Sequence, residues 1–165
     1  MSRAIACAAV AAFCLSAGTA AAALPQPGTL VPGRSLAGVR LGEPAAAVQA
    51  ALGRGYGVCQ GCSRTTWYFN YRRFDQRGLA VEFTQGRVSA VYTLWQPPGW
   101  HAPRGLQLGA VEAQLTTLAG ALNVISCSGY EAFVRDGNRV QTAYYIVDGK
   151  LWGFGLLPAH ESPCR

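Results

Sequence analysis

Two thiols in the segment Cys59-Gln60-Gly61-Cys62 are the residues of this 165-residue chain whose spacing best suits chemistry. A CxxC pair cycles between dithiol and disulfide when it sits at a helix N-terminus, where the helix dipole lowers the thiol pKa. The residues that follow, Thr65-Thr66-Trp67-Tyr68-Phe69, are β-branched and aromatic and predict a strand, so that helix is missing. A thiol-disulfide oxidoreductase therefore stands as the alternative reading. Cys59, Cys62, Cys127 and Cys164 would together suit tetrahedral zinc, but the second two do not form a CxxC, and no metal or other cofactor is expected.

Proton-transfer chemistry has little to work with. The two histidines are His101, in a proline-rich stretch, and His160, near the end of the chain, and neither sits in a recognisable motif. There is no Gly-x-Ser-x-Gly, no phosphate-cradling glycine loop and no His-Glu-x-x-His, and the eight acidic residues show no two-carboxylate pairing. No catalytic residue is predicted. Trp67, Trp95, Trp100 and Trp152 offer flat rings that stack on sugars or anchor a protein partner, and most tryptophans in a small protein are core.

The compartment follows from the first residues. Arg3, an apolar run from Ala4 to about Ala17 and small residues up to Ala23 form a secretory signal peptide, assigned to residues 1–23, with cleavage near Ala22 or Ala23. The run is too short to span a membrane, and no later segment comes closer. A lipid anchor needs a small residue before a cysteine at the end of that run, whereas Cys14 follows Phe13. About 140 residues remain, enough for one ordinary domain or two small units sharing a core. The formal charge of +6 is carried mostly by arginines scattered singly or in pairs such as Arg72-Arg73. That pattern suits weak attraction to acidic surfaces and argues against nucleic-acid recognition. Outside the cell, the four remaining cysteines are expected to be oxidised. Sequence does not choose among their three connectivities. The favoured pairing is Cys59 with Cys62 and Cys127 with Cys164, the latter tying down the C-terminus.

The elements that position these residues repeat. Gly38-Val39-Arg40-Leu41-Gly42 recurs as Gly105-Leu106-Gln107-Leu108-Gly109, and the correspondence continues with Val48 on Leu115, Ala51 on Leu118 and Gly53 on Gly120. Each copy reads as a short apolar strand, a short helix, from about Pro44 to Leu52 in the first, and then strands broken by turns at Arg77-Gly78, Gln85-Gly86, Asp136-Gly137 and Asp148-Gly149. With Gln85-Gly86 as a two-residue turn, Phe83 faces Val88, Val81 faces Ala90 and Leu79 faces Tyr92, all on one face, with Glu82, Thr84, Arg87 and Ser89 opposite. Around Asp148-Gly149, Ile146 pairs with Leu151 on the inner face, while Tyr145 pairs with Trp152 and Ala143 lies beside Phe154 on the outer face. Tyr145, Trp152 and Phe154, with Trp95, are the candidate binding residues, because an aromatic outer face on a secreted protein tends to mark a contact site.

The expected organisation is α+β: two tandem repeats, each a short helix packed on a three- to four-stranded antiparallel sheet. Residues 24–34 are an extended tail, 35–96 repeat 1, 97–104 a stiff proline-rich linker and 105–165 repeat 2. A short strand ending in Leu-Gly, a helix and a small sheet resemble the BamE/SmpA lipoprotein family. Two such units in tandem resemble the secreted β-lactamase inhibitory protein type. The resemblance rests on Val39-Arg40-Leu41-Gly42 and Leu106-Gln107-Leu108-Gly109, with Val48 and Leu115 downstream. It implies a secreted, non-enzymatic protein-binding or inhibitory module whose partner is another secreted or cell-surface protein, with neither a membrane span nor a nucleic-acid partner. A purely structural secreted domain is the other reading.

Overall fold

Two eight-residue helices form where the repeated pattern predicts them: α1 (Ala45–Leu52) and α2 (Glu112–Ala119). Pro44 precedes α1 in extended conformation, and Gly53 closes it at φ 84°, its N–H bonded to the Gln49 carbonyl. Gly120 ends α2 in the same way at φ 80°. Only glycine enters that left-handed region without steric cost, so each helix stops at its glycine. The buried faces are Val48 with Leu52 and Leu115 with Ala119.

The computed structural model describes residues 28–70 and 76–165, so the expected signal peptide and the tail before Gly28 lie outside the described residues. Strands β1 (Leu30–Val31) and β2 (Ser35–Leu36) form a small hairpin. After α1 come β3 (Gly57–Val58), β4 (Thr65–Asn70), β5 (Gly78–Thr84) and β6 (Arg87–Leu94). After α2 come β7 (Asn123–Cys127), β8 (Tyr130–Arg135), β9 (Val140–Val147) and β10 (Lys150–Pro158). These eight strands make one antiparallel sheet in the order β3-β4-β5-β6-β10-β9-β8-β7. The protein is α+β. One seam, β6 against β10, joins the two four-stranded halves, with Tyr92 opposite Gly155 and the Thr93 hydroxyl accepting the Phe154 N–H at 2.9 Å.

Both helices lie on the inner face of this sheet over one continuous core that includes Val48, Leu79, Val81, Leu115, Tyr144, Phe154 and Leu156. Two segments expected outside the repeats belong to that core. Leu30 and Leu36, the first of them placed in the expected tail, are fully buried, and the Leu30 N–H bonds to the His101 carbonyl. Trp100, in the expected linker, is the largest fully buried side chain. Prolines keep 97–102 out of α-helix and extended strand, but they do not keep an indole in water, and burying one contributes several kcal/mol.

The hairpin registers differ from expectation at one residue each. The turns at Gln85-Gly86 and Asp148-Gly149 form with positive φ at both positions, the two-residue geometry that suits a right-twisted ribbon. Beyond Phe83 opposite Val88, however, Glu82 pairs with Ala90, so Ser89 is an extra residue. Beyond Leu151 opposite Ile146, Gly153 pairs with Tyr145, so Trp152 is the extra residue. A bulge of this kind turns every following side chain to the other face. Ala90 and Tyr92 therefore move to the outer face beside Glu82, and Phe154 moves to the inner face opposite Tyr144, where it is fully buried. Arg77-Gly78 is not a hairpin turn, since Gly78 pairs with Asn70 within the sheet.

Candidate functional site

The outer face carries its own apolar cluster of Ala90, Ala132, Val134, Ala143, Tyr145 and Leu157, with Tyr92 and Tyr130 packed against it. Tyr145 lies over β10 because two glycines make room. A Cβ at Gly155 would meet the Tyr145 hydroxyl at 2.7 Å, and one at Gly153 would meet its ring at 3.2 Å. Tyr130 stacks edge to face on Tyr145, with centroids 5.8 Å apart.

Beside this floor opens a cleft of about 290 Å³, lined by Tyr92, Trp95, Tyr130, Tyr145, Trp152 and Arg165 among others. Both tryptophans are presented by backbone irregularities. Trp152 occupies the bulge of β10, and Trp95 follows the last residue of β6 at φ 55°, itself followed by Gln96 at φ 48°. A non-glycine residue in that region costs of order 1–3 kcal/mol and persists where its surroundings hold it. The two indoles meet edge to face at 5.2 Å, and Trp95 remains 51% exposed. Of the four predicted binding residues, the structure brings together Trp95, Tyr145 and Trp152. Phe154 is on the other side of the sheet.

The remaining wall is a polar strap formed by residues 159–165. The Arg165 N–H donates to the Tyr130 hydroxyl at 2.6 Å, and that hydroxyl donates to the Arg165 carbonyl at 2.8 Å. The Arg165 guanidinium pairs with Glu161 at 2.9 Å and lies 3.6 Å from Glu82, while Arg64 bonds Glu82 at 3.1 Å and Glu161 at 2.5 Å. Glu82, nearly buried, also accepts the Tyr92 hydroxyl at 3.0 Å. Two guanidinium groups and two carboxylates thus neutralise one another, which is what permits charge on a half-buried surface. The favoured Cys127–Cys164 pairing tied this segment down, but the sequence offered no sign of Arg165 or of these ion pairs. The Gly153-x-Gly155 spacing, which leaves one face of a strand bare, is the signal from which the seat of Tyr145 was readable.

This arrangement suits binding rather than proton transfer. Burial raises the Tyr145 phenol above its ordinary value, and burial with the adjacent Glu82 carboxylate does the same for Tyr92, so both are neutral hydroxyls. The Tyr145 hydroxyl is buried and finds no hydrogen-bond partner among the described residues, a cost of about 1–3 kcal/mol. Arg165 is already paired, which leaves the cleft mainly apolar surface to offer. A sugar needs many hydrogen bonds from its site; an aromatic or aliphatic side chain needs none.

The four cysteines among the described residues form two separate bridges, Cys59–Cys62 and Cys127–Cys164. The first closes the exposed loop between β3 and β4, where no helix begins, so the dipole that activates a redox thiol is not supplied. The second fastens the strap to β7, enclosing a sequence separation of 37 residues. Replacing both Cys127 and Cys164 with serine is expected to lower the unfolding free energy by ~3–4 kcal/mol in urea melts, and replacing Cys59 and Cys62 by less. His101 is exposed beside β1, 3.0 Å from the Thr29 hydroxyl, and does not line the cleft. No helix among the described residues is long and apolar enough to cross a membrane.

No protein-family model matches the sequence, and no curated protein does. Two solved structures share the fold. One is YjgB, a DUF4309 family protein from Bacillus subtilis subsp. subtilis, at 20% identity and a TM-score of 0.52, covering 70% of this chain and 78% of that one. The other is an extracellular protein containing an SCP domain from Bacillus anthracis, at 10% identity and a TM-score of 0.53, covering 71% of this chain and 43% of that one. At these identities the likeness is one of fold alone.

Proposed function

We propose that the chain is a secreted, non-enzymatic protein-binding or inhibitory module that takes a bulky apolar side chain of its partner into the cleft, against Trp95 and Trp152. The observation that carries this reading is the half-exposed Trp95, held in a strained conformation against Trp152 at the mouth of an aromatic cleft. Aromatic anchors in apolar pockets dominate protein interfaces, and strain tends to collect at functional sites. Export is supported by the signal-like first residues and by two disulfides.

The same reading takes the halves as tandem copies of one unit, as the BamE/SmpA-like and β-lactamase inhibitory protein-like pattern implies. Supporting it, the row Val58, Trp67, Val81, Val91 across β3 to β6 has its counterpart in Val124, Phe133, Tyr144, Phe154 across β7 to β10. The Gly42 N–H bonds to the Val88 carbonyl as the Gly109 N–H bonds to that of Leu151. The bulge residue is Ser89 in one copy and Trp152 in the other, so the cleft arises where the copies have diverged.

The test is capture from secreted-protein extracts by immobilised wild type, Trp95→Ala and Trp152→Ala, with mass-spectrometric identification. A discrete set of proteins is expected on the wild type and is expected to be lost from both variants, whose circular dichroism is unchanged. Equal capture by all three would remove the cleft from the function and favour a purely structural domain.

A further inference from the structure

On the inner face, away from the aromatic cleft, lies a second cavity of about 270 Å³, lined by Pro32, Pro103, Arg104, Leu118, Arg135 and Tyr144 among others. The first hairpin closes one side of it: the Gly33 N–H donates to the Thr142 hydroxyl at 2.8 Å, and Thr142 pairs with Arg135 across β9 and β8. Arg135 follows Phe133 by two residues and so shares its inner face. There it reaches the end of α2, where a Cβ on Gly120 would lie 3.7 Å from its guanidinium. The Tyr144 ring is buried against Phe154, and burial raises its pKa despite the nearby Arg135, so it stays a neutral phenol that can donate.

The positive charge here is uncompensated. Arg135 is half-buried and has neither an ion pair nor a hydrogen bond among the described residues. No acidic residue lines the cavity, and the neighbouring Asp136 is bonded to the Asn123 amide at 2.5 Å. Arg104 gives one N–H to the Leu118 carbonyl at 3.1 Å, which leaves its other donors unused. Two full positive charges thus meet only about half a negative one, at the C-terminal end of α2. A half-buried charge in that position is stable only with a counter-ion. The first half of the chain has no such charge. On the correspondence drawn above, Arg104, before Gly105, answers to Ala37, before Gly38, and both take positive φ, 63° and 51°. Arg135, two residues past Phe133, answers to Phe69, two past Trp67, and Phe69 is fully buried core. Turn and strand are common to both halves, so neither arginine is demanded by the backbone.

We infer that this cavity binds a small organic acid, its carboxylate facing Arg135 and Arg104 and its apolar body against Pro32, Pro103 and Leu118. Guanidinium groups present donors only, which suits an oxyanion, and their forked geometry matches a carboxylate. The apolar walls favour a hydrocarbon body over bare phosphate or sulfate, whose hydration they cannot replace. A space of about 270 Å³ is at the small end of ligand sites, ~300–1,000 Å³, so the acid is of medium-chain size.

Isothermal titration calorimetry of the folded protein with octanoate tests this, with octanamide and inorganic phosphate as controls. Octanoate is expected to bind one to one, octanamide ~10-fold or more weakly, and phosphate not to compete. Arg135→Met removes the charge at similar length, and Arg104→Ala copies Ala37 of the first half. Each is expected to keep the wild-type circular dichroism and to weaken octanoate binding ~10-fold or more. No saturable heat below about 1 mM octanoate overturns the inference. Unchanged binding by Arg135→Met also overturns it, since the acid then sits elsewhere. So does octanamide binding as tightly as octanoate, which leaves an apolar hollow, or displacement by phosphate, which leaves a basic surface.

Discussion

Trp100→Ala is expected to lower the unfolding free energy by about 3–5 kcal/mol, although Trp100 lies in a segment that reads as a linker. Its side chain is fully buried, in the same core as Leu30, Leu36 and Leu106. Gly28 packs so closely on the indole that a Cβ there would meet it at 2.7 Å. Deleting the ring leaves a cavity shared by the first hairpin, the 97–103 segment and the sheet, and the backbone bonds from Leu30 to His101 and from Leu108 to Trp100 limit how far the site can collapse. Urea melts read the effect. A loss under ~1 kcal/mol would mean that this segment is a tether lying on the surface rather than a piece of the core.

The second large effect separates two neighbours in sequence. Phe154→Ala is expected to cost about 3–5 kcal/mol, because Phe154 is fully buried and meets Tyr144 edge to face at 6.0 Å. Trp152→Ala, two positions earlier, is expected to cost far less, since Trp152 is half-buried at the cleft and its loss empties space already open to water. In an unbroken strand these two side chains would share a face and behave alike. The contrast therefore reports the bulge at Trp152, and equal destabilisation by the two variants would contradict it.

That bulge also marks the limit of what was legible. Alternation placed Leu79, Val81, Phe83 and Val88 on one face correctly, and the two-residue turns, both helices and their terminal glycines could be read from residue type. Nothing in Ser89 or Trp152 announces an extra residue, and a shift of one position reverses everything after it, which is why Ala90, Tyr92 and Phe154 are each on the face opposite to the one alternation indicates. Trp152 and Tyr145 were legible as outer-face aromatics, whereas Trp95 was assigned outward on the register that the Ser89 bulge breaks and reaches the cleft through the positive φ at 95 and 96. The ion pairs of Arg165 and Glu161 with Glu82 and Arg64 were not legible, because they join residues far apart in sequence and no local pattern encodes them.

Site-specific photo-crosslinking tests the proposed contact surface most directly. A benzophenone side chain introduced at Trp95, in protein folded and irradiated among the secreted proteins of its own source, is expected to give a covalent adduct of one discrete mass. The same group at Val58, also exposed but on the far edge strand, is expected to give none. No adduct from position 95, or the same ladder of products from both positions, would contradict the assignment of the Trp95–Trp152 cleft as the site that holds a partner.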